Sequence, residues 1–532
     1  MTTRANTLAR AAASRPGRAF PVAVALATCA LLCALPAAAP AGGSAIPARP
    51  EQLTFPPLTW DPPAAKDARV QLKNGIVAYL VPDRALPLVS VHVLMRIGAD
   101  LDPAGREGLA ALAVGQLTRG GTARRSATAV EDAVSALGAT LDASVGGRGG
   151  GFMGLGGVPI GPAEARASLN LLSKDLDAGL ALLVECLREP AFAADRLQLA
   201  KDQLVQQMKE RNDETAQIEE REWGFLARGE EFWGNRYPTQ ASIEGLTRAD
   251  LEAFTRRYVG PRNFLLAVSG DFDRAAMIRA LEQAFANWPV PGERPGPPPA
   301  PTAPAAPGWY VVDKDVNQAR VSFGLRTLDR SDPDWFAALV LNDILGGGGF
   351  SARLVNRIRS DEGLAYSVRS RQEGGVYWPD AWRVTFQTKV RSAAFAVDVG
   401  LAEVRRIREQ PVSDAELQTT QNKFIETFPT QFETAGAIAG GLATEELTGR
   451  YQKDPRYFAD YRRRIAAVTA ADVQRVAQRL LDPAKMTFLV VGKVDEMRLG
   501  DGKHDVSLVG LAGGEPRRLP LRDPLTMKPL AN

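Results

Sequence analysis

Two spacings of apolar residues recur along the chain. "VQLKNGIVAYLVPD" from Val70 and "LPLVSVHVLMRIG" from Leu86 carry β-branched residues in alternation, as half-buried strands do. Asn74-Gly75 inside the first predicts a hairpin turn. "GWYVVDKDVNQARVSFGLRTL" from Gly308 plays the same part later on. Helical spacing appears in "LTRADLEAFTRRYVGPRNFLLAVSGDFD" from Leu246 and again, 222 residues on, in "VTAADVQRVAQRLLDPAKMTFLVVGKVD" from Val468. In each, a threonine (Thr247 or Thr469) stands at the helix N-cap, with an aspartate (Asp250 or Asp472) three residues later to meet the exposed amides. An apolar i, i+3, i+4 helix follows, then a proline turn at Pro261 or Pro483, then a buried strand.

Nearly the same shift pairs "EPAFAADRLQLAKDQLVQQM" at Glu189 with "EQPVSDAELQTTQNKFIETF" at Glu409. Two matching blocks at almost one spacing mark an internal repeat. The expected fold is therefore α+β, with two homologous α/β domains over 66–290 and 309–495. Between them, 291–308 is rich in proline and alanine and too poor in large apolar residues to pack, which reads as a semi-rigid linker. Residues 496–532 show little periodicity and read as an extended tail.

Composition adds limits. A chain of 532 residues, 45% apolar and 23% charged, is long enough for two or more domains with proper cores. Residues 1–41 differ from the rest. Arg4, Arg10, Arg15 and Arg18 precede an apolar run from Phe20 to Leu35 and a small-residue exit, "PAAAPAGG". This is the pattern of a secretory signal peptide, so an exported, periplasmic protein is expected. Cys29 follows Leu26-Ala27-Thr28, a poor lipoprotein site, so membrane contact is expected only if the leader is retained or lipidated. Cleavage after Ala41 removes four arginines and no acid, taking the formal charge from +3 to +3 − 4 = −1. That balance argues against a nucleic-acid partner. Cys29 and Cys33 leave with the leader, Cys186 remains alone, and no intramolecular disulfide is expected.

Candidate chemistry gathers in two stretches. "GLA" opens a helix at Gly108 after "RIGADLDPAGREG", and "GGGGFSARLVNRIRSDEGLAYSV" begins at Gly346. With the two α/β halves, these resemble the M16 family of zinc peptidases, that of pitrilysin, insulysin and the mitochondrial processing peptidase. The resemblance covers nearly the whole chain between leader and tail. It implies that each half is an M16-type domain and that the pair is half of a clamshell.

In that family the helix after "GLA" carries His-x-x-Glu-His, two zinc ligands and the glutamate that activates water. The matching positions here are Ala111, Val114 and Gly115. The family's third, glutamate ligand matches Gln206 or its neighbour Gln207. No shifted alignment restores the site, because the only histidines are His92, in a strand, and His504, in the tail. No metal is therefore expected in this chain.

The second stretch keeps the family's pattern. The resemblance implies that Arg359 and Tyr366, seven residues apart in "RSDEGLAY", reach across to a zinc-bearing half, hold a peptide and steady its oxyanion. A guanidinium offers donors in fixed geometry, and a phenol can donate to a carbonyl oxygen that gains charge. The glycine run Gly346, Gly347, Gly348 and Gly349 lacks the strand and Lys-Ser/Thr context of a phosphate loop. It reads as a flexible substrate-handling loop at the chamber mouth. "GGRGGGFMGLGGVPIGP", 146–162, is an insertion that reads as a surface loop, or else as a loop that closes over the degenerate zinc pocket or contacts a partner.

The family's catalytic unit needs four such domains, so a two-domain chain must pair. The reading is a non-catalytic subunit of a heterodimeric zinc metallopeptidase. Its partner would carry His-x-x-Glu-His and the zinc, and its substrates would be unfolded peptides docking by edge-strand addition. A non-proteolytic scaffold or peptide-binding protein on the same fold is the alternative.

Overall fold

The computed structural model describes residues 49, 53, 59–146, 160–373 and 375–531. The chain divides into two units, Met1–Thr59 and Trp60–Asn532. The 1–41 leader and 147–159 of the insertion lie outside the described residues.

The first half of the second unit holds β1 (Arg69–Gln71), β2 (Val77–Pro82), β3 (Leu88–Met95), β4 (Thr140–Val145), β5 (Ala165–Leu172) and β6 (Phe264–Gly270). Its second holds β7 (Gly308–Asp313), β8 (Gln318–Arg326), β9 (Ala365–Gln372), β10 (Ala381–Lys389), β11 (Thr487–Gly492) and β12 (Arg517–Leu519). The sheets run β1-β2-β6-β3-β5-β4 and β12-β7-β11-β8-β10-β9. Position by position these are one mixed α/β architecture used twice, with β4 and β9 at equivalent edges.

The local chemistry of the repeat explains why. Thr247 and Asp250 form a reciprocal capping box at the start of the Arg248–Tyr258 helix, and Thr469 and Asp472 form the same box before Ala470–Leu480. After each helix a short turn at Pro261 or Pro483 delivers the chain into a strand buried along almost its whole length, β6 or β11.

The strands at the other ends of the sheets differ. In the first sheet that place belongs to β1, hairpinned onto β2 across Asn74-Gly75, with Gly75 at φ +88°. In the second it belongs to β12, which comes from the C-terminal residues and lies parallel to β7. Residues 496–532 are thus not simply an extended tail. They include the Leu508–Ala512 helix and β12. They then return to the first half, where the Arg522, Pro524 and Leu525 carbonyls accept from Asn212, Arg211 and the Gln240 amide at 2.7, 3.0 and 2.8 Å. Of the expected 291–308 linker, Gly308 already belongs to β7, and the rest has no regular element but is pinned, since the Pro299 carbonyl accepts from Trp233 Nε1 at 2.9 Å and the Ala305 amide donates to Leu226.

One face of each sheet carries its own half's helices. The other face is covered by a helix from the opposite half. Ile218, Trp223 and Leu226 of the Thr215–Arg228 helix pack on Tyr310, Val312, Leu489 and Val491 of the second sheet. Ala439, Leu442, Ala443 and Leu447 of the Ala435–Leu447 helix pack on Tyr79, Leu94, Leu265 and Ala267 of the first. Polar ties secure both crossings. Glu446 takes two hydrogen bonds from Arg69 at 2.9 Å each and one from the Tyr79 hydroxyl at 2.6 Å. Burial pushes its carboxyl up, but these partners outweigh that and hold it below its ordinary value. Arg383 of β10 pairs with Glu219 and Glu220 and stacks over Trp223 at 4.9 Å.

Candidate functional site

The Leu109–Arg119 helix starts where the chain must turn through Gly108 at φ +100°, a position at which a Cβ would meet Ile243 Cδ1 at 2.6 Å. Asp102 anchors this start by accepting from the Gly108 and Ala110 amides at 2.8 and 2.7 Å. Burial pushes its carboxyl up to about 6, against the lowering effect of those two bonds. Leu109, Leu112, Ala113, Val114 and Leu117 face the first-half core, and Val114 is fully buried. Ala111 is exposed, and Gly115, one turn on, is half-buried with no atom within 4 Å of where a Cβ would stand.

The Ala194–Lys209 helix lies beside this one, with Gln206 and Gln207 both exposed and Gln206 Oε1 accepting from Lys209 at 3.2 Å. A methyl, an isopropyl, a hydrogen and a neutral amide provide no zinc site, so these residues do not fit the metal. Among the described residues no three His, Cys, Asp or Glu side chains converge as a metal-binding group. His92 is buried in β3 against Ser168 Oγ at 2.9 Å, and burial lowers its pKa to about 4. His504 stacks on Phe395 at 3.6 Å and meets Asp501 at 2.8 Å.

The second-half stretch is built on two π-helical turns, Asp343–Gly347 and Val355–Asp361, a geometry enriched at functional sites. The glycine run closes the first turn and is less free than a hanging loop. A Cβ at Gly346 would meet Ser370 Oγ at 2.6 Å, and one at Gly347 would meet Asn342 Nδ2 at 2.5 Å. Gly348 packs as closely on Asp343, and Gly349 takes φ +70° in open space. The second turn is fixed from outside by Arg353, which grips Glu416 at 2.6 and 2.9 Å.

These turns bring Arg359 and Tyr366 together. The Arg359 guanidinium lies 4.5 Å from the Phe350 ring and 5.5 Å from the Tyr366 ring, held between two aromatic faces. It has no carboxylate or carbonyl partner among the described residues. Phe350 is 75% exposed and Tyr366 89% exposed, the largest apolar exposures of the described chain. Tyr366 is the second residue of β9, the edge strand, whose outward positions continue through Arg369 and Arg371. Sequence reading missed Phe350, Arg369 and Arg371. The alternation in "AYSVRSRQ" carried the signal for the two arginines.

Residues 245–424 match the family model described as the Peptidase M16 inactive domain. An uncharacterized zinc protease of Mycobacterium tuberculosis (strain H37Rv) is 26% identical over 317 residues, 59% of this chain and 71% of that one. The non-peptidase homolog YmxG of Helicobacter pylori is 23% identical over 361 residues, 66% of this chain and 77% of that one. Among solved structures, a peptidase M16 inactive domain from Pseudomonas fluorescens aligns with TM-score 0.67 and 22% identity over 80% of this chain and 97% of its own. The periplasmic protease PqqL from Escherichia coli aligns with TM-score 0.64 and 15% identity, over 80% of this chain but 45% of its own. The family model over residues 245–424, the relatives and the repeated fold agree in making this chain similar to the M16 peptidases, while its positions matching their zinc helix carry no metal donor.

Proposed function

We propose that this protein is the non-catalytic subunit of a two-chain M16 zinc peptidase, closing the chamber over a peptide that a partner chain cuts. The partner carries His-x-x-Glu-His and the zinc, and this chain supplies Arg359 and Tyr366. The observation that carries the reading is the stacked and solvent-facing Phe350–Arg359–Tyr366 group. A guanidinium fixed between two rings and left without an ion-pair partner is a preorganised donor. It can grip a peptide carbonyl while the Tyr366 hydroxyl donates to an oxygen that gains negative charge. Coverage of under half of a longer protease of the same fold supports the half-chamber.

The test is hydrolysis of a long peptide by this chain, by a zinc-bearing M16 chain from the same organism, and by the two mixed. Activity is expected only in the mixture and should disappear with a chelator. Arg359→Ala and Tyr366→Phe should each lower the mixture's turnover roughly tenfold or more, as loss of an oxyanion donor does, with assembly intact by size-exclusion chromatography. A pair that neither co-elutes nor gains activity would leave a peptide-binding protein on a peptidase fold.

A further inference from the structure

Between the two halves lies a cavity of about 630 Å³, lined by Phe232, Trp233 and Tyr237 of the first half and by Arg369, Arg371 and Trp378 of the second. The aromatic wall is continuous. Phe232 and Trp233 ring centroids are 5.0 Å apart, and each lies 5.5 or 6.0 Å from the Trp378 ring in an edge-on arrangement. Trp378 Nε1 is buried and has no acceptor among the described residues.

Five arginines and five carboxylates line this cavity, equal in number but unequally paired. Arg228 is matched by Glu373 and Asp380 at 2.9 Å each. Arg383 is matched by Glu219 and Glu220, Arg320 by Glu219, and Glu164 accepts from the Tyr377 hydroxyl. Arg369 and Arg371 are exposed and form no ion pair or hydrogen bond among the described residues. Arg371 also stands directly across from Arg383 in the β9–β10 register. Arg383 already holds Glu219 and Glu220, so a carboxylate for Arg371 would come from a bound ligand.

Arg369 and Arg371 belong to the same strand as Tyr366, and among the described residues β9 has no strand on its outer side. From Tyr366 to Arg371 the strand advances about 17 Å at ~3.4 Å per residue, the reach of five or six residues of an added strand. We propose that the outward face of β9 and the cavity beside it bind an acidic peptide segment, with Arg369 and Arg371 taking its carboxylates and the Phe232–Trp233–Trp378 wall taking an adjacent apolar side chain. This names the substrate class of the proposed subunit and rests on that reading for the register at Tyr366.

The purified full chain, without any partner, would be titrated into three fluorescein-labelled peptides of about eight residues and followed by anisotropy. The peptides share a central leucine flanked by two glutamates, two glutamines or two lysines. The glutamate peptide should bind at least tenfold more tightly than the glutamine peptide. Arg369→Gln with Arg371→Gln should erase the difference, and Arg369→Glu with Arg371→Glu should turn it towards lysine. Equal binding of the glutamate and glutamine peptides to the wild type would overturn the proposal and reduce both arginines to charges that blunt an edge strand. So would a preference that survives the charge reversal. The two readings fail separately. Charge-blind binding that Arg359→Ala weakens for all three peptides removes only the acidic specificity. Glutamate preference in a chain that never activates a partner removes only the peptidase role.

Discussion

Glu416 shows how one side chain holds the second-half site in place. Its carboxylate accepts from the Ser413 amide and hydroxyl as the third residue of a capping box, and it receives the Arg353 fork. The Arg353 contact, ahead of the Ser413 bonds, lowers its pKa from 4.5 to about 2. A carboxylate with a lowered folded pKa stabilises the fold fully above its unfolded value, and that contribution is lost as pH falls through the folded one. Because the group is partly exposed, Glu416→Gln should cost about 1 kcal/mol at neutral pH. In urea unfolding the gap to wild type should narrow as pH drops from about 4.5 towards 2; a gap independent of pH would show that the ionised pair contributes nothing.

At the degenerate helix, Ala111→His, Val114→Glu and Gly115→His together should not give zinc-dependent hydrolysis, because Gln206 still offers no anionic ligand. The triple variant should also melt lower than wild type. Val114 is fully enclosed by the first-half core, and an unpaired polar group there costs on the order of 2 kcal/mol or more. Stoichiometric zinc with turnover would contradict this account of the site. The absent ligands could be read from residue types alone, since Ala, Val and Gly have no side-chain donor wherever the helix points. The Arg359–Tyr366 spacing could also be read, through its motif. Phe350 could not, because a lone aromatic after four glycines gives no periodicity to say which ring a guanidinium will find.

Among elements, the exchanged helices carry the most consequence. Separately produced fragments 60–307 and 308–531 should each be insoluble, since one bares Tyr79, Leu94 and Leu265 and the other Tyr310, Val312, Leu489 and Val491. Made together they should be recovered in solution as a complex. Two fragments that are soluble and cooperatively folded when alone would show the exchange to be dispensable. The repeat was visible in sequence because its capping boxes and strand patterns are local. The exchange was not, because apolar spacing tells that a helix face is buried and never against which sheet. β12 escaped for a related reason, since the three residues of "RRL" hold no alternation.

For the molecule as a whole, the exchange makes folding a matter of time as well as of contacts. The first sheet has all its strands once the chain reaches Gly270, yet the helix that covers its second face begins at Ala435. At about 5–20 residues per second, synthesis of the intervening ~165 residues takes on the order of ten to thirty seconds. Throughout that interval Tyr79, Leu94 and Leu265 lack the helix that covers them in the finished fold. The second sheet waits for nothing of this kind, because the Thr215–Arg228 helix is made before the first of its strands. The nascent protein therefore spends its most adhesive moments with its first half laid open, and whatever shields that face on the ribosome acts on a surface that the finished molecule never displays.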